Sequence, residues 1–472
     1  MTMPSSAQVV VVGGGIAGAS AAYHLAKLGR DVLLLEQNAI GGGTTWHAAG
    51  MVTRLRTTAA MAAIHDHSAR LYASLDAETG VATGWKAVGS LLLSRTDDRL
   101  IQNRRSAAMA RLFGIESHEL SLDDVRRIWP MMRTDDLVGA LLIPADGRTE
   151  PASTARALAE GARLHGATVK EGSEVSELLH DGKRATGVRM AEGDVGAETV
   201  LLCGGMWTRQ LALDQGIDLP LYPVEHHYVV TQAVDGLTDW MPCTRDHDGA
   251  LYFRTEGAQM VIGAFQPGAK PWDVARVPAD FSFDLLEPDW ESFETALTQA
   301  RHRFPDFESY GFDRFVNGPE SFTPDSHAVV GPVVGWEGLY VLAGFNSFGI
   351  AGAGGMGKTI AEWIVGGEEP MDLWEVDSRR FAPFQNNLAY LTERVSETLG
   401  HHYELAWPTA ELRTARNVRQ SPFHTRFANE GAVFGARLGW ERPLWFAGRG
   451  IEHGIENGAA HHRGPPGCVQ KR

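Results

Sequence analysis

Three groups of residues in this 472-residue chain have types and spacing suited to chemistry. Gly13-Gly-Gly15-Ile16-Ala17-Gly18 satisfies the G-x-G-x-x-G spacing, and Glu36 and Gln37 follow 18 and 19 residues after its last glycine. Such glycines permit a tight turn, close backbone approach to a pyrophosphate and close packing of helix on strand. A helix starting there offers free N–H groups to phosphates, and the acid accepts from ribose hydroxyls. Next comes Gly41-Gly-Gly43-Thr44-Thr45-Trp46-His47-Ala-Ala-Gly50, a flexible, hydroxyl-bearing loop. A histidine placed there can sit on the rim of a redox ring and bond to it, or merely hydrogen-bond its own loop. The third group combines Val224-Glu-His226-His227-Tyr228 with Leu251-Tyr252-Phe-Arg254. An imidazole titrating near neutrality, with a phenol hydroxyl in relay, can take a proton from a substrate. Tyr252 in an alternating strand also suits a plain core aromatic.

The surrounding segments supply the elements that would hold these groups. Val9-Val-Val-Val12 is a β-branched run of the kind buried on both faces in a parallel sheet. Residues 17–28 read as an alanine-rich helix stopped by Gly29, and 31–35 as a second strand ending at Glu36. Strand, glycine turn, helix, strand and acid in order define a dinucleotide-binding unit, which the glycines alone would not. Residues 167–200 read as a strand, turns at Asp181-Gly and Glu192-Gly, and a return strand that runs into Cys203-Gly204-Gly-Met-Trp207. Residues 90–94, 227–231, 251–254 and 260–263 read as strands of a mostly antiparallel sheet. Strand alternation then lets only one of His226 and His227 face the site.

A competing pattern lies downstream. Gly352-Ala-Gly-Gly-Met-Gly357-Lys358-Thr359 fits the phosphate loop G-x-x-x-x-G-K-[ST], with Lys358 for β/γ-phosphates and Thr359 for magnesium. The strand within Gly338-Leu-Tyr-Val-Leu-Ala-Gly344 ends about eight residues too early, however, and no later segment supplies a metal-binding Asp. The glycines instead suit a helix starting near Gly355, its positive end turned toward the charge of a reduced ring.

A formal charge of −15 argues against nucleic acid, which needs a basic face. Three scattered cysteines, Cys203, Cys243 and Cys468, make neither a disulfide framework nor a closed metal site, which points to a reducing, cytoplasmic setting. The first residues lack a signal-peptide pattern, and no apolar run of 18 residues exists, so no membrane partner is expected.

Gly43-Thr-Thr-Trp-His47-Ala-Ala-Gly50 resembles the flavin-attachment segment of the dimethylglycine and sarcosine dehydrogenases, within the D-amino-acid-oxidase-like superfamily. Asp146-Gly-Arg148 with Pro151, the segment Gly318-Pro-Glu-Ser-Phe-Thr-Pro-Asp325, and Phe345-Asn-Ser-Phe-Gly349-Ile350 are similar to later parts of that family. The resemblance implies FAD bonded through a ring nitrogen of His47. It places Gly13, Gly15, Ile16, Ala17, Gly18, Glu36, Gln37, Gly43, Thr44, Thr45, Val175, Gly204, Trp207, Gly344, Gly349 and Ile350 along the cofactor, with Val175 beside adenine. It matches His226 and Tyr252 to catalytic positions. The implied reaction demethylates a small N-methylated amino acid: hydride passes to flavin, and water hydrolyses the iminium left behind. Only the neutral amine reacts, and an alkyl ammonium of pKa about 10 is neutral in roughly one molecule per thousand at pH 7, a handicap near 4 kcal/mol. Arg254 or Arg54 is the expected partner of the substrate carboxylate. Oxygen or an electron-transfer flavoprotein would accept the electrons. The alternatives are an oxidase of another amine or imino acid and a non-catalytic regulator, since the family includes a regulatory subunit of pyruvate dehydrogenase phosphatase.

The expected architecture is α/β: a Rossmann-type FAD-binding domain interleaved with a mostly antiparallel α+β substrate domain. The FAD-binding segments are 7–84, 140–218 and 315–380, and the substrate segments 85–139 and 219–314. A short C-terminal linker domain at 381–447 precedes a disordered tail at 448–472. Leu438-Gly-Trp-Glu-Arg-Pro-Leu-Trp-Phe446 resembles the lead into the family's folate-binding domain, which needs roughly 300 residues where 26 remain. Free formaldehyde is therefore the expected one-carbon product unless a separate subunit takes it.

Overall fold

The two faces of one strand set the layering. In the computed structural model, which describes residues 3–405 and 410–447, Ser6–Val12 buries Val9 and Val11 on one side and Val10 and Val12 on the other. A strand apolar on both faces requires cover on both. Helices Ile16–Lys27, Ala59–Thr79, Pro151–Leu164 and Gly349–Gly366 cover the first side. The second is filled by the hairpin Val175–Asp181/Arg184–Met190 with Leu219, Leu221 and Trp336. The sheet order is Val329–Pro332, Leu339–Ala343, Gly193–Leu202, Ser6–Val12, Val32–Leu35, Thr168–Lys170. Along this path it is parallel except at the first pair, as a Rossmann-type unit requires, and the hairpin Val175–Asp181/Arg184–Met190 branches antiparallel from Gly193–Leu202.

A second sheet runs Phe312–Phe322, Tyr222–Thr231, Gln259–Ala264, Leu251–Glu256, Cys243–Asp246, Ser90–Ser94, Gly139–Ile143, His118–Leu120. Only Cys243–Asp246 with Ser90–Ser94 pairs parallel. Gly139–Ile143 and Phe312–Phe322 carry this sheet past the expected boundaries at 139 and 314. The segment from Gly318 to Phe322, expected as a loop, is strand.

The chain divides into compact units Met1–Glu404 and Leu405–Arg472, so the expected 381–447 domain is itself split. The physical reason is burial: Leu388–Gly400 packs Leu391, Val395 and Leu399 against Tyr222, Val224 and Phe265 of the first unit. Within the second unit, the short helix His424–Asn429 precedes the hairpin Ala432–Arg437/Trp440–Phe446. The expected disordered tail at 448–472 lies outside the described residues. Among the described residues no helix is long and apolar enough to cross a membrane, and no group of three His, Cys, Asp or Glu side chains could hold a metal ion.

The phosphate-loop pattern is helix. Helix Gly349–Gly366 begins six residues before the expected Gly355 and contains Lys358 and Thr359. Thr359 Oγ1 donates to the Gly355 carbonyl at 2.9 Å, and Lys358 pairs with Glu362 at 2.6 Å. The glycines serve helix contact: a Cβ on Gly355 would lie 2.1 Å from the Ile64 carbonyl oxygen, and one on Gly357 2.2 Å from Ser20 Oγ.

Candidate active site

A cavity of about 380 Å³ is lined from both sheets, and every residue expected along the cofactor or at the catalytic positions except Gly18 lines it. At its nucleotide end Gly13 has φ +106°, and a Cβ there would meet the Cys203 carbonyl oxygen at 2.5 Å, so only glycine makes the turn. Gly15 caps helix Ile16–Lys27 without a side-chain bond, and the Ile16 N–H donates to Thr45 Oγ1 at 3.1 Å. The start of that helix, Ile16 and Ala17, therefore faces the cavity with its positive end. Gly18 stands behind the turn, where a Cβ would sit 1.9 Å from the Gly13 carbonyl oxygen; its role is packing.

Glu36, Gln37 and Val175 line the same end. The Glu36 carboxylate accepts from Gly14 N at 2.6 Å and Asn38 N at 2.9 Å. Burial pushes its pKa above the ordinary range, and these two bonds oppose the rise. Gly43, Thr44, Thr45, Gly204 and Trp207 form the middle of the wall, where Thr44 Oγ1 donates to the Pro319 carbonyl at 3.2 Å. Gly344, Gly349 and Ile350 close the wall at the start of helix Gly349–Gly366.

His47 is 3% exposed, and burial lowers its pKa to about 4, so its imidazole is neutral at pH 7. Its Nε2 is buried without a hydrogen-bond partner. Room for the ring comes from Gly318, where a Cβ would lie 2.3 Å from His47 Nδ1. A glycine turn, an exposed helix start, a buried acid and an orphaned, neutral imidazole fit a dinucleotide with a reactive ring, as FAD has.

Sheet register assembles the other end. On Tyr222–Thr231, His226 and Tyr228 line the cavity, whereas His227 turns to the opposite face against Phe293 and Phe315. His226 Nδ1 lies 2.6 Å from Glu320 Oε1 and its Nε2 3.1 Å from the Ala264 carbonyl oxygen. Both ring nitrogens are thus within hydrogen-bond distance of protein oxygens. Ser347 Oγ donates to the other Glu320 oxygen at 2.6 Å. Burial raises the Glu320 pKa, but the His226 charge and these bonds outweigh it and bring it below the ordinary value.

Arg245, Tyr252, Gly263 and Tyr228 are consecutive cross-strand partners. Gly263 lets the Tyr252 ring lie flat across it, since a Cβ there would be 2.1 Å from the hydroxyl. Burial raises the Tyr252 pKa well above its usual value, which keeps the hydroxyl protonated.

Neither expected arginine reaches the cavity. Arg254 is taken up by the carbonyls of Ala49 and Thr255 and by Glu256, and Arg54 by Asp66. The lining arginine at this end is Arg245, joined by Tyr403, Glu320 and Ser347. Sequence reasoning missed all four. A lone acid in the Gly318-Pro-Glu320-Ser-Phe segment was a signal for Glu320, and a charged Thr-Arg245-Asp run within a buried sheet was one for Arg245.

This fold and cavity define the class of dinucleotide-dependent flavoprotein oxidoreductases with a substrate sheet set over the cofactor site. Residues 8–363 match the FAD dependent oxidoreductase family, and residues 366–421 match the FAD dependent oxidoreductase central domain; the chain belongs to this family. It is 39% identical to 4-methylaminobutanoate oxidase (formaldehyde-forming) of Paenarthrobacter nicotinovorans, over 95% of this chain and 54% of that protein. It is 36% identical to human mitochondrial sarcosine dehydrogenase, over 95% of this chain and 49% of that one. The mouse mitochondrial regulatory subunit of pyruvate dehydrogenase phosphatase is 35% identical, over 94% of this chain and 51% of that one. The chain thus spans about half the length of these curated relatives.

Proposed function

We propose that this chain oxidises a small N-methylated amino acid, demethylating it with FAD tethered to His47. One observation carries the reading: the cavity that begins at the dinucleotide glycines ends at His226, Glu320 and Tyr252. When bound, FAD supplies the hydride acceptor for the C–H bond α to the amine nitrogen. The chain's own residues do the rest. The neutral His47 imidazole, with an unpartnered Nε2, is the attachment point. Glu320 retains carboxylate lone pairs beyond those used by His226 and Ser347, so it is an anionic acceptor that can hold and orient the amine N–H. The positive start of helix Gly349–Gly366 favours negative charge at the ring edge. Tyr252, protonated and locked over Gly263, positions the amine.

The test begins with acid precipitation of purified holoprotein. A yellow pellet that turns white in His47→Ala supports the tether, and a colourless wild-type pellet ends that part of the reading. Anaerobic mixing with sarcosine, dimethylglycine and 4-methylaminobutanoate follows. Bleaching by one of them identifies the substrate class; bleaching by none leaves the regulatory reading.

A further inference from the structure

Residues 276–283 run from one wall of the cofactor cavity to the other without helix or strand of their own. They start on the wall that carries Trp207, Gln210 and Asp214. There the Arg276 guanidinium donates to both Asp214 carboxylate oxygens, at 2.8 and 2.7 Å. The Gln210 side chain meets Val277 twice, accepting from its N–H at 2.9 Å and donating to its carbonyl at 3.2 Å. Trp207 Nε1 donates to the Pro278 carbonyl at 2.9 Å. On the other wall Asn38 Nδ2 donates to the Ala279 carbonyl at 2.8 Å, and the Phe283 N–H donates to the Gly42 carbonyl at 2.8 Å. Trp207 follows strand Gly193–Leu202 and Asn38 follows Val32–Leu35, the two neighbours of Ser6–Val12 in the sheet. Residues 276–283 therefore span the glycine turn in which Ser6–Val12 ends.

These fastenings join protein to protein, and most of them are exposed. Of residues 276–283 only Val277 is buried. Phe283 has φ +51°, a left-handed conformation that a bulky side chain adopts at a cost. Its ring packs on Trp46, the neighbour of His47, with centroids 5.8 Å apart. A segment held by a few exposed polar bonds and strained at one end opens locally far more readily than the sheets beneath it.

We propose that residues 276–283 are a strap that swings aside for FAD to enter or leave, and that the Arg276–Asp214 pair is its latch. Because the latch joins protein to protein, loosening it speeds entry and exit alike and leaves affinity unchanged. A group that held the cofactor directly would change exit and affinity instead. The strap needs FAD in the cavity, as the family has; neither the His47 tether nor an amine substrate is part of it.

The test uses His47→Ala protein, in which FAD is bound without a covalent link, and follows FAD uptake and release by flavin fluorescence. In that background Arg276→Asp should raise both rates about fivefold, the upper range for loss of an exposed ion pair, and leave Kd unchanged. The charge swap Arg276→Asp/Asp214→Arg restores opposite charges and should return both rates toward those of His47→Ala alone. High salt, which screens an exposed pair, should speed both rates in His47→Ala and not in the Arg276→Asp variant. Arg276 and Asp214 line the cavity, so a weakened Kd with an unchanged uptake rate would mean that Arg276 touches the cofactor, and it overturns the strap. Rates unmoved by Arg276→Asp, or a swap that fails to restore them, overturn it as well. If His47→Ala does not retain FAD, uptake by the cofactor-free wild-type chain and its Arg276→Asp variant decides: faster uptake in the variant supports the strap, and equal rates overturn it.

Discussion

Gly318→Ala isolates the geometry on which the proposed His47 tether depends. Gly318 lies outside the left-handed region, so alanine costs the backbone nothing there. The three atoms nearest the added Cβ all belong to His47: Nδ1 at 2.3 Å, Cε1 at 2.4 Å and Cγ at 2.9 Å, where ordinary contact begins at 3.4 Å. Gly318 is pinned by its ladder partner His226, and the ring is buried, so the imidazole must retreat by about 1 Å. Overpacking of this kind costs about 1–3 kcal/mol. Displacing a reacting atom by about 1 Å can slow its step by roughly a hundredfold. Freshly expressed Gly318→Ala should therefore bind FAD but release most of it into the acid supernatant, and melt a few degrees below wild type. The double variant Gly318→Ala/His47→Ala removes the clashing ring, so the two substitutions should show a favourable coupling of about 1–3 kcal/mol. A fully yellow Gly318→Ala pellet with an unchanged Tm would refute the argument.

Other substitutions test separate parts of the site. Glu320→Gln removes the anionic acceptor proposed for the amine N–H. Amine binding to the holoprotein should then weaken about tenfold to a hundredfold, as loss of a hydrogen bond to a charged group does; an unchanged affinity contradicts the role. Gly355→Ala should destabilise strongly, by about 3 kcal/mol, because its Cβ meets the Ile64 carbonyl oxygen at 2.1 Å. Lys358→Ala should change Tm and FAD content little, since it breaks only a surface pair worth at most about 1 kcal/mol; loss of nucleotide binding on that change would revive the phosphate loop. Burial, the leading cause, lowers the pKa of His24 and His65 to about 3 and of His47 and His402 to about 4. Below pH 6.5 the unfolded chain then binds more protons than the folded one, so stability falls as pH drops from 6.5 to 4. Each histidine contributes at most about 1.4 kcal/mol per pH unit. A Tm that stays level from about pH 7.5 to about pH 5 would show that these rings are not held neutral.

Local order and local spacing made the dinucleotide unit legible. Strand, turn, helix and acid are contiguous in sequence, and helix Ile16–Lys27 starts one residue from its expected position. Alternation also settled that only one of His226 and His227 could face the site, because strand period is a local property. The substrate end was less legible because it is built across strands. Arg245 meets Tyr252, and Glu320 meets His226, through pairings between segments far apart in the chain. Arg254 looked suitable by type, but its donors are used by the backbone of Ala49 and Thr255, a fact no spacing reveals. The 381–447 segment misled for a related reason: the burial of Leu391 and Val395 depends on Val224 and Phe265, far away in the chain.

Glycines in the second sheet show how the site is shaped. Gly263 stands beside Tyr252 in the ladder, and Gly318 opposes His226, so each leaves a gap in a face otherwise carrying side chains. Tyr252 lies down in the first gap and His47 enters the second. Both rings are thereby held by backbone, which cannot change rotamer, while the polar groups around them come from flanking strands. Gly263 and Gly318 thus set where these two rings stand in the cavity.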